Sequence, residues 1–119
     1  MEDFESTPIL NRNTMQELFD MLDEDALEIF NVFIDDAPIQ EAQLIDANSN
    51  HEQLILASHS LKSSSAYVGA ERISMLANQI ESDLRENSFK DAHALISQLP
   101  DLLNESLKQL RIAIDEFQA

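Results

Sequence analysis

The sequence predicts an all-α fold: an up-down-up-down four-helix bundle with a short additional helix at its N-terminal end. Three observations carry that expectation. Glycine occurs once and proline three times in 119 residues, too few for the tight turns of a β-rich fold. Apolar residues recur at steps of three and four over long stretches. Polar breaks, Asn48-Ser49-Asn50 and Asn87-Ser88, separate those stretches. The length suits one hydrophobic core and not two.

Taken in order, residues 1–12 show no clear period and contain Pro8. They read as an arm that packs Ile9 and Leu10 on the body, with residues 13–119 as the domain. Asn13 or Thr14 is placed to cap a short helix carrying Met15, Leu18, Phe19 and Leu22. Asp23, Glu24 and Asp25 then suit the start of a second helix, where free backbone N–H groups favour negative charge. That helix spans about 25–47 on the period. Its stripe is Leu27, Phe30, Ile34, Ala37, Glu41, Leu44 and Asn48, widened by Phe33 and Ile45. Pro38 falls inside it and predicts a kink, not a stop. The third helix, 51–67, carries Leu54, Ala57, Ser58, Leu61, Ser65 and Val68 inward. Gly69 follows as its structural turn, since glycine tolerates the left-handed backbone that ends many helices. The fourth, 70–86, turns Ile73, Leu76, Ala77, Ile80 and Leu84 inward. The fifth covers 89–117, with Pro100 either kinking or splitting it.

Composition removes several function classes. Seven basic and twenty-three acidic residues give a net charge of −16, which opposes binding to nucleic acid or anionic membranes. No apolar run approaches the roughly 18 residues of a membrane span. Cysteine is absent, which excludes disulfides and thiolate metal sites and fits a cytoplasmic setting. The start, Met1-Glu2-Asp3-Phe4-Glu5, lacks the basic-then-apolar order of a secretory signal. One glycine cannot build a phosphate-binding loop. Neither His51 nor His93 belongs to a Glu-x-x-His pair of the di-iron type, and position 56, three before His59, is leucine.

The chemistry concentrates in His59-Ser60-Leu61-Lys62-Ser63-Ser64-Ser65, followed by Gly69-Ala70. At about 100° per residue, His59 lies roughly 140° from its helix's core stripe and faces outward. Lys62, one turn on, brings an ammonium beside the ring. An imidazole on an outer face is a nucleophile within reach of another protein's active site, and the ammonium offsets the charge of a transferring anion. Ile55, Leu56, Ser63 and Ala66 surround His59 on this face. Ile55 and Leu56 are expected to be exposed apolar contacts for a docking partner. Ser64 and Ser65 read as helix-packing residues. Arg72 and Arg85 read as partners of local acids on the fourth helix.

These residues resemble the signature of the histidine-containing phosphotransfer (HPt) family, His-x-Leu-Lys-Gly-Ser-Ser/Ala followed by Gly-Ala. His59, Leu61, Lys62, Ser64, Ser65, Gly69 and Ala70 match it. Phe33-Ile34-Asp35-Asp36-Ala37-Pro38 and the run Ile73, Leu76, Ala77, Ile80, Glu81 are similar to the family's second and fourth helices. The resemblance covers roughly residues 18–114. It implies a phosphocarrier of two-component phosphorelays, not an enzyme in its own right, that shuttles a phosphoryl group through a phosphohistidine at His59. Lys62 would stabilise the phosphate charge. The implied partners are receiver domains of hybrid sensor kinases and response regulators, which supply Mg²⁺. The carrier itself is then a monomer without a cofactor or metal. One position departs: Ser63 stands where the family commonly has glycine. A second reading keeps the fold and drops the chemistry, leaving a non-transferring module that binds and regulates a receiver domain or sensor kinase.

Overall fold

The computed structural model describes residues 6–118. The acidic start, residues 1–5, lies outside the described residues. Among those described there are six helices and no strand: α1 (Arg12–Leu22), α2 (Asp25–Ile45), α3 (His51–Val68), α4 (Glu71–Arg85), α5 (Phe89–Ile96) and α6 (Leu99–Gln118). No described helix is long and apolar enough to cross a membrane.

The first helix starts earlier than its own residues suggest. Asn11, not Asn13 or Thr14, is the cap, and its side chain accepts from the Thr14 N–H at 3.2 Å. Tertiary contacts decide this. The Asn11 backbone N–H donates to the Gly69 carbonyl at 2.7 Å, and its amide donates to Glu71 at 2.6 Å. The cap is thereby pinned to the turn between α3 and α4. Upstream, Leu10 packs partly buried against the core, and the Thr7 carbonyl accepts from Arg72 Nε at 2.7 Å. Arg72 thus reaches the N-terminal segment, which its expected pairing with acids on α4 did not foresee.

Helix α2 runs unbroken through Pro38 and ends at Ile45. It stops short of Ala47 because Asp46 turns extended and its carboxylate accepts the Asn48 N–H at 2.9 Å, a local bond that competes with the helix. The buried positions are Ala26, Phe30, Phe33, Ala37 and Leu44. Phe33 therefore belongs to the core proper. Ile45 does not: at the last helical position it is exposed, 100° round from Leu44. Asn48 lies beyond the helix end. The three-residue break then supplies Asn50, whose side chain accepts from the Gln53 N–H while the Gln53 side chain accepts from the Asn50 N–H, each at 2.8 Å. This reciprocal cap starts α3 at His51.

Leu54, Ala57, Ser58, Leu61, Ser65 and Val68 are the buried residues of α3. The buried serines satisfy their hydroxyls within the helix: Ser58 donates to the Ile55 carbonyl, and Ser65 to those of Leu61 and Lys62. Helix α3 packs most extensively with α4. Between the two, Gly69 sits at φ +88°. A Cβ there would lie 2.8 Å from the Asn11 carbonyl oxygen, so both the backbone conformation and the close approach of the N-terminal segment require glycine.

The last predicted helix is split. Ser97 and Gln98 break it, and Pro100 falls in the first turn of α6, where its missing N–H has no helical partner to lose. Helix α5 packs on α4, and α6 on α2 and α4. Phe117 stacks on Phe19 of α1, ring centres 5.2 Å apart, and Phe19 in turn lies 5.3 Å from Phe30. Helix α1 and the last turn of α6 thus meet over Phe30 of α2.

Candidate functional site

Helix α3 carries His59 on its solvent side, with the side chain 54% exposed. The ring is held from behind. Its Nδ1 lies 3.2 Å from Oε2 of Glu81, a residue of α4 whose side chain is only 7% exposed. The same carboxylate receives Lys62 Nζ at 2.7 Å on Oε1, and Arg85 Nη2 and Nε at 2.9 and 3.0 Å on Oε2. One buried acid therefore gathers the histidine and two cations. Ser74 Oγ donates to the Lys62 carbonyl at 3.0 Å and fastens α4 to α3 beside the site.

The electrostatics of this cluster decide the histidine's tautomer. Burial alone would raise the Glu81 carboxyl, but hydrogen bonds from Lys62 and Arg85, the Lys62 charge and the His59 contact outweigh it and hold it at about 2. Near neutral pH it is an anion and can only accept. The proton of the neutral ring must then sit on Nδ1. The lone pair is left on Nε2, which has no hydrogen-bond partner among the described residues.

The remaining residues singled out in the sequence divide around His59. Leu56 is exposed, as are Ser63 and Ala66, the two that continue the His59 face toward the helix end. Ile55 corrects the expectation of an exposed apolar contact: it is half-buried and packs against the core. It lies seven residues before Lys62, two turns away on the same flank, and that flank leans on α4. Lys62 is 29% exposed, its ammonium turned to Glu81. Gly69 stands ten residues beyond His59, in the turn. His51 meets the Phe89 ring edge-on at 5.3 Å, and His93 is exposed on α5; neither approaches His59's cluster.

Glu81 had no role assigned from sequence, although a signal was present. It follows Ile73 and Ala77 at steps of four on the inward stripe of α4. A carboxylate at a core position needs cationic partners. Arg85, one turn on, is one of them; Lys62 and His59 arrive from α3. No group of three or more metal-ligating side chains converges among the described residues. Two cations beside a single imidazole and carboxylate would also repel a metal ion.

An all-helical chain that presents one braced histidine to solvent defines the class. The chain belongs to the Hpt domain family, whose family model matches residues 12–113. Its fold is similar to that of histidine-containing phosphotransfer protein B from Pseudomonas aeruginosa, with a TM-score of 0.81 at 20% identity, covering 89% of this chain and 94% of that one. It is also similar to a rice protein assigned as a histidine-containing phosphotransfer protein, with a TM-score of 0.70 at 20% identity, covering 98% of this chain and 89% of that one. No curated protein matches the sequence.

Proposed function

We propose that this chain is a phosphorelay carrier that takes a phosphoryl group from a receiver-domain aspartate onto His59 and passes it to a second receiver aspartate. The observation that supports it most is the Nδ1–Glu81 contact in a chain of the Hpt family: it leaves a nucleophilic Nε2 on an exposed helix face. In this reading α2, α3, α4 and the α5–α6 pair form an up-down-up-down bundle, with α1 as the extra helix. The carrier works in the cytoplasm.

The Nε2 lone pair attacks the phosphorus of the aspartyl phosphate in line. The P–O bond to the aspartate breaks, and the carboxylate leaves with its electron pair. The ring keeps its Nδ1 proton and gains positive charge as the N–P bond forms. Glu81 stabilises that charge, as a buried carboxylate behind a catalytic imidazole does. Lys62, one helical turn after His59, turns its ammonium from Glu81 toward the incoming phosphate in this reading and offsets the charge of the transferring group. Mg²⁺ belongs to the receiver, which supplies the rest of the electrostatics. Reversal with a second receiver returns the group to an aspartate.

The test is to incubate the protein with phosphorylated receivers and Mg²⁺. Label that is acid-labile, alkali-stable and lost in His59→Ala is the expected result. Equal label on His59→Ala overturns the assignment. Receiver binding that survives His59→Ala, with no transfer in either direction, identifies the non-transferring module instead.

A further inference from the structure

Three helix ends meet at one end of the bundle: α2 stops at Ile45, α3 begins at His51, and α5 gives way to α6 at Ser97-Gln98. They leave an open cavity of about 530 Å³, within the size range of small-molecule sites. Leu44, Leu54 and Ile96 form its buried apolar floor, continued by Pro100 and by Ile45, which is more than half exposed. The cavity is separate from the phosphotransfer site, since neither His59, Lys62 nor Glu81 lines it.

Its polar lining is negative and in part uncommitted. Ser49 and Ser97 spend their hydroxyls on the Gln43 and Ala94 carbonyls, at 2.7 and 2.6 Å. Asp46 accepts the Asn48 N–H on Oδ1, and Oδ2 has no partner among the described residues. The His93 side chain, on the facing wall, has no hydrogen-bond partner among them either. Helix α2 also ends here with its last carbonyls left out of the ladder. The N–H groups of Asn48 and Ser49, which would reach Leu44 and Ile45, go instead to the carboxylate and the carbonyl of Asp46. The last turn of α2 holds no basic residue, and no lysine or arginine lines the cavity. A carboxylate and the negative end of a helix dipole therefore act on one opening without a cation to answer them.

We propose that this cavity binds a small molecule that joins an apolar body to an ammonium group, with the body on Leu44, Leu54 and Ile96 and the ammonium at Asp46 and the end of α2. A primary ammonium offers three donors and no acceptor. The groups around the opening match it: a carboxylate oxygen, helix-end carbonyls and the lone-pair nitrogen of a neutral His93. An anionic molecule in the same place would face the Asp46 charge, the α2 terminus and the field of a chain of net charge −16. An uncharged one would cover the floor and leave Asp46 unanswered.

The experiment uses three probes that share one apolar ring and differ in the head group: cyclohexylmethylammonium, cyclohexylmethanol and cyclohexanecarboxylate. Each is titrated into the full chain near neutral pH while the methyl resonances of Ile45, Leu54 and Ile96 are followed by NMR. The proteins are wild type, Asp46→Asn and Asp115→Asn. Asparagine at position 46 keeps an oxygen for the Asn48 N–H, and Asp115→Asn removes the same charge from α6. Saturable shifts of the three residues are expected, with the ammonium bound about tenfold tighter than the alcohol and the carboxylate weakest. Asp46→Asn should lower the ammonium's affinity about tenfold and leave the alcohol's unchanged, which also shows that the cavity is intact. Asp115→Asn should change the ammonium's affinity by less than about twofold. The absence of saturable shifts at these residues overturns the proposal. So does equal affinity for the ammonium and the alcohol, or an equal effect of the two aspartate variants.

Discussion

His59 Nδ1 lies 3.2 Å from Oε2 of Glu81, so the exposed ring of α3 is fastened from behind by a buried carboxylate of α4. The contact joins packing to chemistry. Glu81 tolerates burial because Lys62 and Arg85 reach it, Arg85 from one turn on along α4 and Lys62 from α3, one turn after His59. The seam that buries α3 against α4 thereby orients the ring and fixes which nitrogen is free.

Glu81→Gln separates those roles. An amide offers both a donor and an acceptor, so it no longer forces the Nδ1–H tautomer. Ring ¹⁵N NMR should show the Nε2–H tautomer rising to a comparable population. Transfer onto His59 should slow about tenfold or more: the wrong tautomer accounts for a factor of about two, and the rest comes from losing the carboxylate that stabilises the ring's developing positive charge. An unchanged tautomer ratio with an unchanged rate would contradict the bracing role.

Acid should weaken the fold through the same residue. Glu81 titrates at about 2 in the folded chain against an ordinary 4.5. Between those values the unfolded chain binds more protons, so the contribution is complete above about 4.5 and is lost as pH falls toward 2. The shift corresponds to about 3 kcal/mol at most. Screening of the more exposed partners, His59 and Arg85, reduces this to about 1–2 kcal/mol. Urea midpoints for wild type and Glu81→Gln should therefore converge as pH drops from 6 to 2.5. Parallel curves would argue against it.

Much of this arrangement was legible in the sequence where one helix decides it alone. The stripe of α3, the break before His51 and the outward phase of His59 follow from 3.6-residue periodicity. What one helix cannot show is which side chain another helix brings. The inward phase of Glu81 on α4 is legible, but its partners Lys62 and His59 come from α3. Ile55 reads as exposed until α4 leans on it. Asn11 replaces its neighbours as the cap because the α3–α4 turn holds it. The split at Ser97-Gln98 was open for a different reason: proline suits a first turn as well as a kink, and only the packing of α5 and α6 chooses.

Gly69→Ala tests the turn. At φ +88° an alanine is strained, and its Cβ would press on the Asn11 carbonyl at 2.8 Å. The expected loss is about 2 kcal/mol or more, seen as a lower melting temperature. Phosphoramidate labelling of His59 below the melting transition should stay near wild type, since the turn lies ten residues away. Unchanged stability would mean that the segment carrying Asn11 yields freely.

Ser63→Gly tests the departure from the family pattern. Ser63 is exposed, one turn after His59 on the same face. Glycine in mid-helix should cost about 0.5 kcal/mol relative to serine. The cleared surface should let more receivers transfer to His59, visible as a wider set of active donors in a panel. A narrower set would show that the hydroxyl assists the phosphoryl group.

Lys62 requires two substitutions, because its ammonium pairs with Glu81 at 2.7 Å while the residue lies one helical turn from His59. Lys62→Met keeps the stem and removes the charge. Loss of the pair should lower stability by about 1 kcal/mol, since the lysine is partly exposed and Arg85 still compensates the carboxylate. If the ammonium also stabilises the transferring group, the maximal transfer rate should fall about 10- to 100-fold with KM for the phosphoreceiver little changed. Lys62→Arg should recover stability, and part of the rate. The double variant Lys62→Met/Glu81→Gln supplies the decisive comparison. A lysine that acts only by holding Glu81 loses nothing more once Glu81 is gone, whereas a lysine that acts on phosphate lowers the rate again by a similar factor.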